Sequence, residues 1–168
     1  MSSRIVKSLT VAALAATLAA CSSVPLDETS QAGAGGATAG GGAGTGQIMD
    51  PFNPQSPLAQ QRSVYFDFDS YVVPDQYRSL VEMHSGYLSR QGQQTIRVEG
   101  HADARGGSEY NLALGQRRSD AVARMMTLMG VNASQIEAIS FGKERPKALG
   151  NTEADYAENR RADIVYQR

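Results

Sequence analysis

Apolar residues recur with two different periods along the chain, and both periods lie beyond residue 61. The stretch "SVYFDFD", Ser63 to Asp69, alternates, with Val64, Phe66 and Phe68 on one face and Tyr65, Asp67 and Asp69 on the other. That pattern predicts a half-buried strand. Pro74 then opens a predicted helix to about Gln91, with Tyr77, Leu80, Val81, His84 and Leu88 at helical spacing. Thr95 to Glu99 reads as a second strand with Ile96 and Val98 facing in. A long helix follows from about Glu109 to Met129, stopped by Gly130. "ASQIEAISFG" predicts a helical turn and a third strand near Glu137 to Phe141, and a short helix around Glu153 to Asn159 precedes a last strand in "RADIVYQR". The order β-α-β-α-β-(α)-β predicts an α/β (α+β) domain over residues 62–168, with a four-stranded mixed sheet and two main helices. Helices between successive strands favour parallel crossovers, which gather the loops after those strands at one sheet edge.

One position breaks the pattern. Steps of three and four from Leu114 pass through Arg118, Ala121, Val122, Met125 and Met129, so Arg118 stands in the apolar stripe. Arg117 falls on the opposite face with Gln116, Asp120 and Arg124, where a charge is ordinary. An arginine in the stripe keeps its charge. It requires an internal ion pair, with Asp103 or Asp69 as the candidates, or a place near the loop edge from which its fork grips a ligand carboxylate. From spacing alone the ion pair is the better explanation.

The N-terminal third carries no such period. Arg4 and Lys7 precede a charge-free run from Ser8 to Ala20, too short for the roughly 20 apolar residues of a membrane span, and the run ends in "LAAC". Residues 1–20 therefore read as a signal peptide. Cys21 is the only cysteine, and "LAAC" resembles a bacterial lipobox, in which that cysteine is acylated. The resemblance implies an outer-membrane location, since Ser22 rather than Asp follows the cysteine. Two or more acyl chains anchor firmly where one holds marginally. Gly33 to Gly46 contains eight glycines in fourteen residues, so residues 21–61 read as a flexible tether behind the anchor. Cleavage would remove two of the 16 basic residues and no acid, leaving 14 against 17 and a formal charge of −3. That balance argues against nucleic acid.

The candidate chemistry lies in "EGHADARGG". Asp103 follows a strand in a loop whose Gly106 and Gly107 let the backbone bend; its ordinary role is an Asx turn or a helix cap. His101 has no second histidine or cysteine nearby to complete a metal site, and His84 sits on an apolar helix face. There is no G-x-S-x-G and no phosphate loop, so the sequence predicts neither an enzyme nor a cofactor. Asp103 and Arg118, with Asp69, would suit a zwitterion, the ammonium against Asp and the carboxylate against Arg. A lipid-anchored metal-dependent hydrolase using His101, Asp103 and Asp69 is the competing reading.

"VYFDFDS", "VEGHADARGGSEYNLALGQRRSDAV", "ISFGKERP" and "AENRRADIVY" together resemble the OmpA-like C-terminal domain, in the branch where a lipobox and a tether precede it. The resemblance implies non-covalent binding of peptidoglycan through the free end of meso-diaminopimelate. It assigns the site to Asp103, Arg118, Asn111, Leu114, Asp69 and Arg160, the last either touching ligand or supporting the cleft. It also implies lipidation of Cys21, a periplasmic domain tethering outer membrane to wall, and partnership with Tol proteins including TolB. Envelope integrity and outer-membrane constriction in division would follow. Within the binding class the alternative is a different wall-anchoring lipoprotein on the same OmpA-like fold, for instance a secretion-system anchor. Ala102 stands where many relatives carry Thr, and Gly115 where porin-type members carry Ser.

Overall fold

A computed structural model describes residues 49–168. The expected signal peptide, Cys21 and the glycine-rich stretch lie outside the described residues. A four-residue helix α1 (Pro57–Gln60) precedes strand β1 (Ser63–Tyr65); a 3₁₀ turn (Asp75–Tyr77) leads into α2 (Arg78–Arg90), followed by β2 (Ile96–His101) and α3 (Ser108–Leu128). A second 3₁₀ turn (Ala133–Gln135) enters β3 (Ile136–Gly142), and α4 (Glu153–Asn159) precedes β4 (Arg161–Tyr166). The sheet order is β1-β4-β2-β3, with β2 and β3 parallel and β4 antiparallel to both β1 and β2. The mixed four-stranded sheet expected from the sequence is present. Strands β1, β2 and β3 all end at one edge, and β4 begins there.

A single core lies between both main helices and one sheet face. It contains Val64, Ile96, Val98, Ala162, Ile164 and Tyr166 from the sheet, Val81 and Leu88 from α2, and Val122 and Met126 from α3. Alternate strand residues Arg97 and Glu99 pair with each other at 2.9 Å and are only partly covered, so period two survives where the pairing is regular. Gln135, itself buried, shares its side-chain N–H groups among the carbonyls of Leu88, Gln91 and Gln94. It thereby satisfies acceptors at the end of α2.

Two expectations fail here. The strand predicted to reach Asp69 stops at Tyr65, because its partner β4 starts at Arg161, and Phe68 is 62% exposed rather than in the core. The last residues of the stretch expected to be a flexible tether up to Gln61 are packed instead: Leu58 is fully buried and Arg62 donates to the Leu58 and Pro51 carbonyls. This Pro-rich segment has few apolar residues, but the ones it has pack down.

The His84 ring is fully buried, between the Tyr166 hydroxyl (2.8 Å from Nδ1) and the Gln61 carbonyl (2.7 Å from Nε2). That geometry suits a neutral ring donating from Nε2 and accepting at Nδ1. Burial pushes its pKa down to about 4. The unfolded chain protonates near 6.5 while the folded ring stays neutral, so stability is full above 6.5 and falls with acidification towards 4. Between pH 6.5 and 5 the expected loss from His84 is about 2 kcal/mol. Burial also lowers the His101 pKa to about 4, so the parent chain loses more than this, and the difference between urea titrations of the parent and a His84→Gln variant at the two pH values measures the share of His84.

Helix α3 lies directly on β2. A Cβ on Gly100 would come within 1.9 Å of the Gly115 carbonyl oxygen, and one on Gly115 within 2.3 Å of Ser140 Oγ. Backbone-to-backbone approach at this crossing sets Leu114 and Arg118, just before and after Gly115 on the helix, against the strand's C-terminal end. There a register shift between Gly100 and His101 breaks the β2–β3 ladder, a device that re-aims the chain beside sites.

Candidate functional site

At the edge where β1, β2 and β3 end, a cavity of about 200 Å³ is lined by Phe68, Asp69, Ala102, Asp103, Arg105, Gly106, Tyr110, Asn111, Leu114, Arg118 and Arg160. All six residues singled out from the sequence line this one cavity. They come from the segment after β1 (Asp69), the loop after β2 (Asp103), the first turns of α3 (Asn111, Leu114, Arg118) and the residue before β4 (Arg160).

Arg118 is fully buried, and its partners are backbone carbonyls: Nε donates to Ser70 O at 2.8 Å, Nη1 to His101 O at 2.8 Å and Nη2 to Asp67 O at 3.2 Å. The guanidinium carbon sits 5.1 Å from the centre of the Phe66 ring. The internal ion pair expected from spacing is absent: among the described residues no carboxylate pairs with Arg118. Carbonyls from the β1 and β2 ends are nearer, so they take the role. Burial pushes its pKa down to about 10, which leaves it charged at neutral pH. Of five N–H groups, three are used.

Asp103 is buried and forms the Asx turn: its Oδ1 accepts from the Arg105 backbone N–H at 3.1 Å. The Arg105 side chain adds a fork, Nη2 to Oδ2 at 2.6 Å and Nε to Oδ1 at 3.2 Å, and Arg160 Nη1 donates to Oδ2 at 3.4 Å. Burial alone would raise the Asp103 carboxyl; the hydrogen bonds from Arg105, with the one from Arg160, hold it below the usual carboxylate range. Asn111 Nδ2 donates to the Arg105 carbonyl at 2.7 Å and pins the loop. Asp69, in the left-handed region at φ 54°, accepts from the Tyr110 hydroxyl. Leu114 supplies an apolar wall.

Arg160 spends each guanidinium nitrogen internally, on Phe66 O at 3.1 Å, Asp103 and Glu153 Oε1 at 2.8 Å. It ties the end of β1, the Asp103 loop and α4 together while also lining the cavity. His101 points elsewhere, stacked on Phe141 with Nε2 3.6 Å from Asp163. Among the described residues no group of three His, Cys, Asp or Glu is placed to hold a metal ion, so the geometry does not assemble the hydrolase's His101, Asp103 and Asp69.

Sequence reasoning missed Arg105, Phe68 and Tyr110. Arg105 lies between two rings, its guanidinium carbon 4.3 Å from the Phe68 centroid and 4.4 Å from that of Tyr156. The available signal was a basic residue two places after Asp103, the spacing at which an Asx-turn carboxylate meets its own loop.

The OmpA family model matches residues 65–160. The chain is 40% identical to the peptidoglycan-associated lipoprotein of Haemophilus influenzae, over 97% of this chain and 99% of that one. It is 38% identical to the Pseudomonas aeruginosa protein of the same name, over 91% and 94%. Among solved structures, that of the peptidoglycan-associated lipoprotein from Burkholderia pseudomallei superposes with a TM-score of 0.68 at 57% identity, covering 70% of this chain and 98% of that one. The C-terminal domain of Helicobacter pylori MotB shares the fold at 19% identity, with a TM-score of 0.58 over 63% of this chain and 84% of that one.

Proposed function

The chain belongs to the OmpA family and, within it, to the peptidoglycan-associated lipoproteins, and from that membership we propose that it holds peptidoglycan non-covalently in the cavity at the sheet edge. The observation that carries this reading is Arg118. A buried cation with no carboxylate partner among the described residues, two N–H groups to spare and a cavity beside it is arranged to receive an anion. Asp103 on the same cavity supplies the complementary charge. The pair suits the free end of meso-diaminopimelate, an amino group and a carboxylate on one carbon, and each charge-assisted contact contributes about 1.5–3 kcal/mol. The cavity would position a ligand by charge, and no Ser, Thr or Cys is among its lining residues.

In this proposal residues 1–20 are removed, Cys21 carries the acyl chains that hold the outer membrane, and the glycine-rich stretch spaces the periplasmic domain from the lipid. Among the described residues no helix is long and apolar enough to cross a membrane, and a lipid anchor needs none. Association with Tol proteins, TolB among them, would place the tether at work during outer-membrane constriction in division.

Sedimentation with purified sacculi tests the binding. The protein should pellet with them, Asp103→Ala should leave most of the protein in the supernatant while melting cooperatively, and no muropeptides should be released. Equal pelleting of the variant removes the site, and muropeptide release replaces the tether with a hydrolase.

A further inference from the structure

The cavity's own charges do not leave the ammonium seat vacant. Three guanidinium groups and two carboxylates line it, and Arg105 meets Asp103 through a two-point fork. Its planar group is held between the Phe68 and Tyr156 rings, each within 4.4 Å. A position that meets a carboxylate and lies close to two aromatic rings is a cation seat of the kind that binds ammonium ligands. Arg105 fills it.

We infer that Arg105 is a built-in competitor, its guanidinium occupying in the free protein the seat that a ligand's ammonium takes by exchange. This rests on the reading of the cavity as a zwitterion site. The exchange has a route: the Arg105 side chain is 36% exposed, whereas Asp103's is 7% exposed. Arg105 also has somewhere to go, since Nη1 already lies 3.2 Å from Glu153 Oε2, a carboxylate 65% exposed. Rotation about the outer side-chain bonds keeps that pair while releasing Asp103. The loop backbone need not move, because Asn111 holds the Arg105 carbonyl.

A ligand end bearing ammonium and carboxylate replaces one cation on Asp103 with another. An end bearing only carboxylate leaves Arg105 seated and gains from its charge. Removing the guanidinium therefore moves the two ligands in opposite directions, which a general loosening of the pocket would not do.

The test is calorimetric titration of the full chain with two tripeptides, L-Ala-γ-D-Glu-meso-diaminopimelate and its analogue lacking the amino group at the free end. Arg105→Met should bind the first at least fivefold more tightly than the parent chain does, and the second more weakly. Weaker or unchanged binding of the first overturns the competitor role. Asp103→Asn in the parent background reports on the site separately: unchanged binding there removes the zwitterion reading itself, and the inference with it. Should Arg105→Met not fold, nitrogen-15 spectra of the parent chain decide. The Arg105 Nε–Hε signal should shift and exchange faster with solvent when the first tripeptide saturates the site, and an unmoved signal overturns the inference.

Discussion

Arg118→Met should lower stability by about 2–4 kcal/mol and remove tripeptide binding, two effects with separate causes. The stability loss comes from the carbonyls of Asp67, Ser70 and His101, which lose their donor; each acceptor left unsatisfied in a buried setting costs about 1–3 kcal/mol. Removing a desolvated charge offsets part of this, since burial already depresses the Arg118 pKa. The melting temperature should fall by roughly 10 °C or more for a domain of this size. Arg118→Lys should recover part of the stability, because an ammonium reaches some of the carbonyls, but little of the binding, because it lacks the planar fork. Thermal melts and titrations at a temperature where all variants are folded separate the two. Stability of the methionine variant equal to the parent would mean that the carbonyl cluster does not hold the segment after β1.

The break in the helical stripe at Arg118 was visible in the sequence, but its partners were not. Patterning identifies side chains that seek charges, and here the acceptors are backbone carbonyls gathered from two strand ends, which carry no mark in the sequence. Phe68 shows the converse. Its alternation with Val64 and Phe66 continues past the point where β4 stops pairing, so the period outlives the strand, and the ring turns out to cover Arg105 instead of the core. Arg105 beside two glycines reads as a solvated loop residue. Only the fold brings Tyr156 of α4 to its other face. The segment before β1 reads as tether because it has no apolar periodicity, yet Leu58 is buried and the Gln61 carbonyl meets the His84 ring of α2. By contrast, the order of elements and the convergence of strand ends followed from the periodicities and the topology rules, and the six residues that the resemblance assigned all line the one cavity.

The carboxylate grip assigned to Arg118 makes the second large prediction. A tripeptide ending in lysine keeps an ammonium for Asp103 but has no carboxylate at that end, so Arg118 would stay without its anion. At about 1.5–3 kcal/mol for a charge-assisted contact, the lysine peptide should bind roughly ten- to a hundredfold more weakly than the meso-diaminopimelate peptide. On Arg118→Lys the two peptides should differ far less, because the discriminating fork is gone. Titration of both peptides into the full chain is the direct measurement. A ten- to hundredfold preference for meso-diaminopimelate is the result predicted here, and equal affinities for the two peptides would contradict it.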